Sequence, residues 1–166
     1  MGLKKIVLDW ETANYLKESL TDKLRSWGIV PDAVVGILPG GYFSARFLAK
    51  GLGVSAALVA LDGSLFKPSR PVKNAILIMD QAIESRSYEI AESKIKKADS
   101  IEIRRAAFIS YKGLYSPEIF AVQYKPIRGL FFKKPSAILP WEKESPLYDE
   151  RRLETELNAI AQNKRC

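Results

Sequence analysis

The chain has 166 residues, of which 47% are hydrophobic and 27% are charged, which is the composition of one globular domain with a buried core. No apolar run approaches the roughly 20 residues that a membrane span needs, and the N-terminal apolar stretch is too short for a secretory signal, so we expect a cytoplasmic protein. Histidine is absent and the single cysteine is Cys166, which excludes an internal disulfide and a metal site built from thiolates or imidazoles. The formal net charge of +7 suits phosphorylated ligands or polyanions, although a solvated basic surface is the simpler explanation.

Short apolar runs alternate with segments of helical spacing through the first 110 residues. The apolar runs predict strands at 4–8, 32–38, 54–61, 74–80 and 103–110. The segments between them predict helices at 10–27, 42–53 and about 86–98. Asp9 is the predicted N-cap of the first helix, whose apolar face comprises Leu16, Leu20, Leu24 and Trp27.

This alternation predicts an α/β fold with a doubly wound parallel sheet. The apolar runs at 117–124 and 136–141 predict a smaller C-terminal appended layer, and residues 147–163 have the spacing of a terminal amphipathic helix. We therefore expect one domain over residues 1–145 and a helical extension over residues 146–166.

The predicted sheet also predicts where a ligand binds. In an open parallel sheet, the ligand site lies at the carboxyl ends of the strands. Two strand ends are followed closely by a turn and a helix: "ILPGGY" at 37–42 and "MDQAIESRS" at 79–87. Because backbone amides at a helix start point out of the helix, both segments are candidate anion sites.

These segments resemble parts of the type I phosphoribosyltransferases, most closely the small purine group that includes xanthine-guanine phosphoribosyltransferase and archaeal relatives. The resemblance spans most of residues 5–142 and rests on four landmarks in the family's order. The segment "PDAVVGILPGGYFSARFLAKGLGV" resembles the family's strand, pyrophosphate loop and helix. "AILIMDQAIESRSYEIA" lies where the family has two acids and the D-T-G-x-T turn for the 5-phosphate of phosphoribosyl pyrophosphate. "AAFISYK" and "SAILPWE" resemble the strands that flank the base pocket.

The resemblance implies a role for particular residues. Asp80 matches the first acid of the family's pair, with a magnesium ion engaged through it, and Glu84 stands in for the aspartate of the D-T-G-x-T turn; both are candidate catalytic residues near the ribose. Lys112 matches a lysine that binds the base. The phosphate-binding positions fall on five residues: Gly40, Gly41, Ser85, Arg86 and Ser87.

The chain departs from the family's pattern at every one of these subsites. The second acid is replaced by Gln81, which brings no negative charge to balance a cation. The other replacements are Pro39 for an arginine, Arg86 for a glycine, Tyr88 for a hydroxyl residue and Ser136 for the aromatic residue that stacks on a purine. Trp141 matches a Pro-Trp landmark, and we expect it to be structural.

Each matched residue also has a purely structural explanation. Gly40 and Gly41 suit a tight turn between strand and helix. Glu84 or Ser85 suits a helix cap, and Lys112 suits an exposed surface.

The resemblance implies an enzyme that transfers ribose 5-phosphate from phosphoribosyl pyrophosphate to a purine-like base, with magnesium and release of pyrophosphate, as in purine salvage. Given the departures, we expect weakened or altered activity. The alternative is a catalytically silent nucleotide-sensing or nucleic-acid-binding regulator on the same fold, although no nucleic-acid-binding motif is present. The expected partners are phosphoribosyl pyrophosphate or a nucleoside monophosphate and a second copy of the chain, since family members commonly dimerise.

Overall fold

A computed structural model describes residues 6–38, 41–60, 70–98, 101–124, 137–142, 145, 151 and 155. The elements follow the chain in the order β1 (Ile6–Val7), α1 (Trp10–Ser26), β2 (Ala33–Leu38), α2 (Gly41–Leu52), β3 (Ser55–Ala60), β4 (Asn74–Ala82), α3 (Arg86–Ala98), β5 (Glu102–Tyr111), β6 (Ile119–Tyr124) and β7 (Ala137–Ile138). None of the helices in these ranges is long and apolar enough to cross a membrane.

Five parallel strands form the main sheet in the order β3-β2-β4-β5-β6. The predicted α/β fold with a parallel sheet is therefore confirmed. The prediction that residues 117–124 belong to an appended layer is wrong, because β6 is the edge strand of the main sheet and pairs with β5. This pairing was not predictable from the sequence. Parallel neighbours are usually joined by a crossover helix, and none lies between β5 and β6.

The sheet is covered on both faces, which makes the fold doubly wound. Side chains alternate along a strand, so Ile76 and Ile78 of β4 pack in one core cluster with α1 and α2. The intervening Ala75 and Leu77 pack in a second cluster with Tyr88 and other residues of α3.

The first helix shows which sequence signals were reliable. Asp9 is its N-cap, as predicted, and its Oδ1 accepts a hydrogen bond from Thr12 N at 2.7 Å. Leu16, Leu20 and Leu24 are buried. Trp27, predicted to share this apolar face, is 58% exposed because α1 ends at Ser26 and Trp27 is the C-cap, outside the helical stripe.

A second, two-stranded sheet pairs the N-terminal strand β1 with β7. β1 and β7 are parallel, with Ile6 paired to Ala137 and Val7 to Ile138. The predicted appended layer is therefore present for residues 137–138. Of the predicted terminal helix, only residues 151 and 155 are described, and both are helical. The division at residues 145 and 146 stays a prediction.

The approach of α2 to the sheet depends on two glycines. A Cβ added to Gly36 in β2 would meet the carbonyl oxygen of Gly41 and would lie 2.8 Å from Ala45 Cβ. A Cβ added to Gly41 would lie 2.6 Å from the carbonyl oxygen of Ile78. Because these neighbours are backbone atoms and a short side chain, they cannot rotate away. The two glycines therefore place the start of α2 directly on β2 and β4.

We expect Gly36→Ala to lower the free energy of unfolding by about 3 kcal/mol, since the added methyl group overpacks a rigid contact. Urea denaturation checks this value. Gly51→Ala in α2 is the matched control, because the nearest neighbours of its added methyl are side-chain atoms: the Thr21 hydroxyl at 2.9 Å and two carbons of Lys17 at 3.7 Å. Equal losses in the two variants would show that the close approach of α2 to β2 is not the cause.

Candidate functional site

Three strand ends meet at the carboxyl edge of the sheet. The register pairs Gly36 of β2 with Ile78 of β4, and Ala82 of β4 with Ser110 of β5. The loop after β5 also contacts the loop after β4, through a hydrogen bond from Tyr115 N to the carbonyl oxygen of Ile83 at 3.4 Å. The ends of β2, β4 and β5 therefore lie side by side, and the predicted site residues lie at or after these ends in the sequence.

The start of α3 carries three of the predicted phosphate-binding residues, Ser85, Arg86 and Ser87. The carbonyl oxygen of Ser85 accepts a hydrogen bond from Glu89 N at 3.0 Å, so Ser85 occupies the N-cap position. Glu84 and Arg86 are exposed, while Ser85 and Ser87 are half-buried. The first amides of the helix and its dipole favour a negative group at this point. An exposed guanidinium, two hydroxyls and helix-start amides are thus placed together.

The other predicted residues are less informative. Gly40 lies outside the described residues. Gly41 is buried, and its contact with β4 accounts for a glycine there without a ligand. Lys112 is exposed directly after β5, and its backbone N–H donates to the carbonyl oxygen of Tyr124 at 2.8 Å. Phosphate binding by the glycines and base binding by Lys112 therefore stay predictions.

The orientation of Asp80 differs from the one expected. Its side chain was predicted to face the crevice, but it lies in the interior with an exposure of 6%. Ser44 Oγ of α2 donates a hydrogen bond to Oδ1, and Trp141 Nε1 donates to Oδ2 at 3.3 Å. The reason lies in strand alternation, since Asp80 follows Ile76 and Ile78 on the face that α1 and α2 cover.

Burial also changes the titration of this carboxyl group. Loss of hydration raises the pKa of Asp80 from its ordinary 3.8 to about 7, against the hydrogen bonds from Ser44 and Trp141, which lower it; the nearby charge of Glu142 adds to the rise. The group is therefore part protonated near neutral pH and is a weak source of negative charge for a ligand.

The neighbouring Gln81 is engaged with the C-terminal segment. Its Nε2 donates to the carbonyl oxygen of Ala137 at 2.8 Å, and its Oε1 accepts from Ala137 N at 3.1 Å. The hydroxyl of Tyr111 also donates to Oε1, at 2.6 Å. The amide thus pairs with β7 as a strand backbone would, and the acid-to-amide replacement noted in the sequence has a structural explanation.

Two further contacts fix α3 on the sheet. Tyr88, the replacement for a hydroxyl residue, is fully buried, and its OH donates to the carbonyl oxygen of Ala106 at 2.6 Å. Glu92 of α3 accepts from Arg105 Nε of β5 at 3.2 Å. Burial acts to raise the pKa of Glu92, but hydrogen bonds and charge from Arg105 and Lys96 outweigh it and lower the pKa. The start of α3 therefore has a rigid support.

The side-chain oxygens of Asp80 and Gln81, near the end of β4, do not suit the coordination of a divalent cation. Magnesium takes oxygen ligands in octahedral geometry and is usually held by one or two carboxylates together with water and substrate phosphates. Both oxygens of Asp80 accept hydrogen bonds inside the core, and the carbonyl oxygen of Gln81 accepts two. In the described part of the chain, no three side chains of the metal-binding types cluster together.

A cleft of about 290 Å³ lies at the opposite edge of the sheet. It is lined by residues 27–31, 74–76, 102 and 104, which precede or begin β2, β4 and β5. Since it faces the amino ends of the strands, it is separate from the site predicted at their carboxyl ends.

Asp80→Asn should remove a pH dependence from the stability. The folded protein holds the Asp80 proton more tightly than the unfolded chain does. The stabilisation of the fold that this proton binding provides is therefore fully present below about pH 4 and is lost as the pH rises towards about 7. The loss is on the order of 4 kcal/mol for a shift of this size. Asparagine cannot ionise, and its amide can still bond to Ser44 and Trp141. The difference in unfolding free energy between variant and wild type should therefore move in favour of the variant across this range, as measured by urea denaturation.

Asp22→Asn, at an exposed carboxylate of α1, is the control and should keep the wild-type profile. A constant difference between Asp80→Asn and wild type from acid to neutral pH would contradict the raised pKa.

Solved structures of phosphoribosyltransferases superpose on this chain. The purine phosphoribosyltransferase from Pyrococcus horikoshii is 20% identical, with a TM-score of 0.65, over 89% of this chain and 100% of that protein. The xanthine-guanine-hypoxanthine phosphoribosyltransferase from Helicobacter pylori is 16% identical, with a TM-score of 0.62, over 91% and 99% of the two chains. A hypothetical protein from Neisseria gonorrhoeae with bound ppGpp is 16% identical, with a TM-score of 0.65, over 99% of both.

No protein-family model matches the sequence, and no curated protein matches it significantly. At these identities the structural likeness bears on the fold alone. The chain therefore has the type I phosphoribosyltransferase fold that its sequence predicted.

Proposed function

We propose that this protein binds phosphoribosyl pyrophosphate or a nucleoside monophosphate at the carboxyl edge of its sheet. The observation that carries the proposal is the start of α3, where Ser85 is at the N-cap and Arg86 is exposed beside it. This helix follows β4 at the same edge as the start of α2, so two helix starts face one ligand region. Solved proteins with this fold include enzymes named for purine substrates.

The proposal extends to a weak or altered transferase activity with a purine-like base. In that reaction the bond from ribose C1 to oxygen breaks and pyrophosphate leaves with its electron pair, while a base nitrogen forms a bond to C1 and loses its proton. Glu84 is the exposed carboxylate beside the helix start and is the candidate to stabilise positive charge on the ribose ring. Asp80 has no such position, since it is buried and hydrogen-bonded. We further propose that the protein is a cytoplasmic homodimer. Lys112 is the residue proposed to bind the purine-like base.

A second candidate is nucleotide sensing without turnover. It is favoured by the engagement of Asp80 and Gln81 in structural hydrogen bonds, which takes both residues away from a substrate. The Neisseria gonorrhoeae protein with bound ppGpp matches 99% of both chains, which adds a nucleotide-bound example of the fold.

Arg86→Ala should weaken the binding of the preferred ligand about tenfold, which corresponds to the loss of one charge-assisted hydrogen bond. Isothermal titration calorimetry with phosphoribosyl pyrophosphate and with AMP, GMP, IMP and XMP identifies that ligand and measures the change. Arg25→Ala, at an exposed arginine in the last turn of α1, is the matched control and should bind as wild type does. If no ligand binds to wild type, or if the two variants bind equally, the site is not at α3.

Glu84→Gln separates the two candidate functions. If the protein is a transferase, incubation with phosphoribosyl pyrophosphate and adenine, guanine, hypoxanthine or xanthine should yield a monophosphate. Glu84→Gln should slow this formation by about tenfold or more. Glu89→Gln, at an exposed residue in the first turn of α3, should not. Binding without product from any base would favour the sensor.

A further inference from the structure

Two residues near the end of β4, Asp80 and Gln81, form one structural unit with residues 137–142. We call the clasp the five residues Asp80, Gln81, Tyr111, Ala137 and Trp141. Gln81 pairs with the backbone of Ala137 on both its N–H and its carbonyl side, and Tyr111 supports the same amide. Asp80 accepts the indole N–H of Trp141. Residues 137–142 are thus attached to the sheet through the positions where the resembled family has its acid pair.

The clasp cannot be formed by two carboxylates. A carboxylate at position 81 has no N–H to donate to the carbonyl oxygen of Ala137 and would be repelled by it. The amide of Gln81 satisfies both the donor and the acceptor of that peptide group. The residue type at this position is therefore explained by attachment of β7 and not by contact with a cation.

The clasp also leaves a pyrophosphate without its usual counter-charge. Magnesium is held through carboxylates and substrate phosphates together, and the carboxylate of the clasp is directed towards Ser44 and Trp141 in the core. The side chains at the start of α3 that could contact a phosphate are Arg86, Ser85 and Ser87, and the exposed carboxylates of Glu84 and Glu89 lie in the same segment. One phosphate group matches this set, whereas a pyrophosphate on a ribose phosphate adds charge with no cation to neutralise it.

We propose that the site takes a nucleoside monophosphate without a divalent cation, and that it prefers this ligand to the magnesium complex of phosphoribosyl pyrophosphate. This inference rests on the proposed function, since it names the ligand class of the same site. The end of β4 serves to hold residues 137–142, and the charge for ligand binding comes from the start of α3.

Calorimetry with and without magnesium tests the ligand class. The dissociation constants of the purine monophosphates and of phosphoribosyl pyrophosphate are measured in excess magnesium and in excess EDTA. We expect each constant to agree within about twofold between the two buffers, with a monophosphate as the tightest ligand. A tightening of phosphoribosyl pyrophosphate by about tenfold or more in magnesium, or its preference over every monophosphate, would overturn the inference.

A second experiment uses magnesium without any nucleotide. It distinguishes a failure of this inference from a failure of the proposed function. If no ligand binds in either buffer, the proposed function is wrong. The effect of magnesium alone on stability then shows whether β4 holds a cation. The unfolding free energy of the wild type should not change with added magnesium chloride beyond the effect of an equal ionic strength of sodium chloride. A specific magnesium stabilisation that Asp80→Asn abolishes would overturn the inference.

Gln81→Glu tests the clasp itself. Hydrogen exchange at the amides of residues 137–139 should be faster in this variant than in wild type, because the pairing with Ala137 is lost. Gln123→Glu makes the same chemical change at an exposed residue of β6 and should leave this exchange at the wild-type rate. If Gln81→Glu instead keeps slow exchange and gains magnesium-dependent binding, position 81 faces the ligand and the inference is wrong.

Discussion

The hydrogen bonds near the end of β4 hold the carboxyl edge of the sheet to residues 137–142. Gln81 bonds to Ala137 across 56 positions of sequence, and Asp80 bonds to Trp141 across 61. β7, which begins at Ala137, in turn pairs with β1 at the start of the chain. Through two neighbouring side chains, the central strand of the sheet thus anchors residues 137–142 and, through β7, the strand β1.

This anchoring places a polar group in an apolar setting, and its partners explain why that is tolerated. Trp141 stacks on Phe43 with ring centroids 4.6 Å apart, and it also contacts Trp10 and Phe108. A carboxyl group among such rings is costly unless hydrogen-bonded. Asp80 meets this requirement with one hydroxyl and one indole donor, and its raised pKa lets it hold a proton in place of an unbalanced charge.

The sequence signals that succeeded were local, and those that failed needed a partner distant in the chain. The cap at Asp9 and the spacing of Leu16, Leu20 and Leu24 depend on residues within a few turns of one helix, so both were predictable. The place of β6 depends on pairing with β5, and no crossover helix between them indicates this pairing in the sequence. The face of the sheet on which Asp80 lies was predictable, since side chains alternate along β4 and Asp80 follows Ile76 and Ile78. Which helices cover that face follows only from the topology.

The family resemblance predicted the fold correctly, and the likeness in fold to solved phosphoribosyltransferases holds at 16–20% identity. It could not anticipate what Gln81 does. An acid and an amide have nearly the same shape, yet an amide both donates and accepts, and only the position of Ala137 reveals which property is used.

Binding and catalysis depend on different parts of such a site, and this determines which of them survives substitution. The amides at the start of α3 belong to the backbone, so they are supplied by the fold for as long as α3 follows β4. An acid pair consists of side chains and is lost with a single replacement such as Gln81. Tyr88 and Glu92 still fix α3 against the sheet, so the helix start keeps its position whatever the residues at the end of β4 do. A chain with this fold can therefore keep the helix start at which we propose phosphate binding while Asp80 and Gln81 serve as structural attachments to residues 137–142.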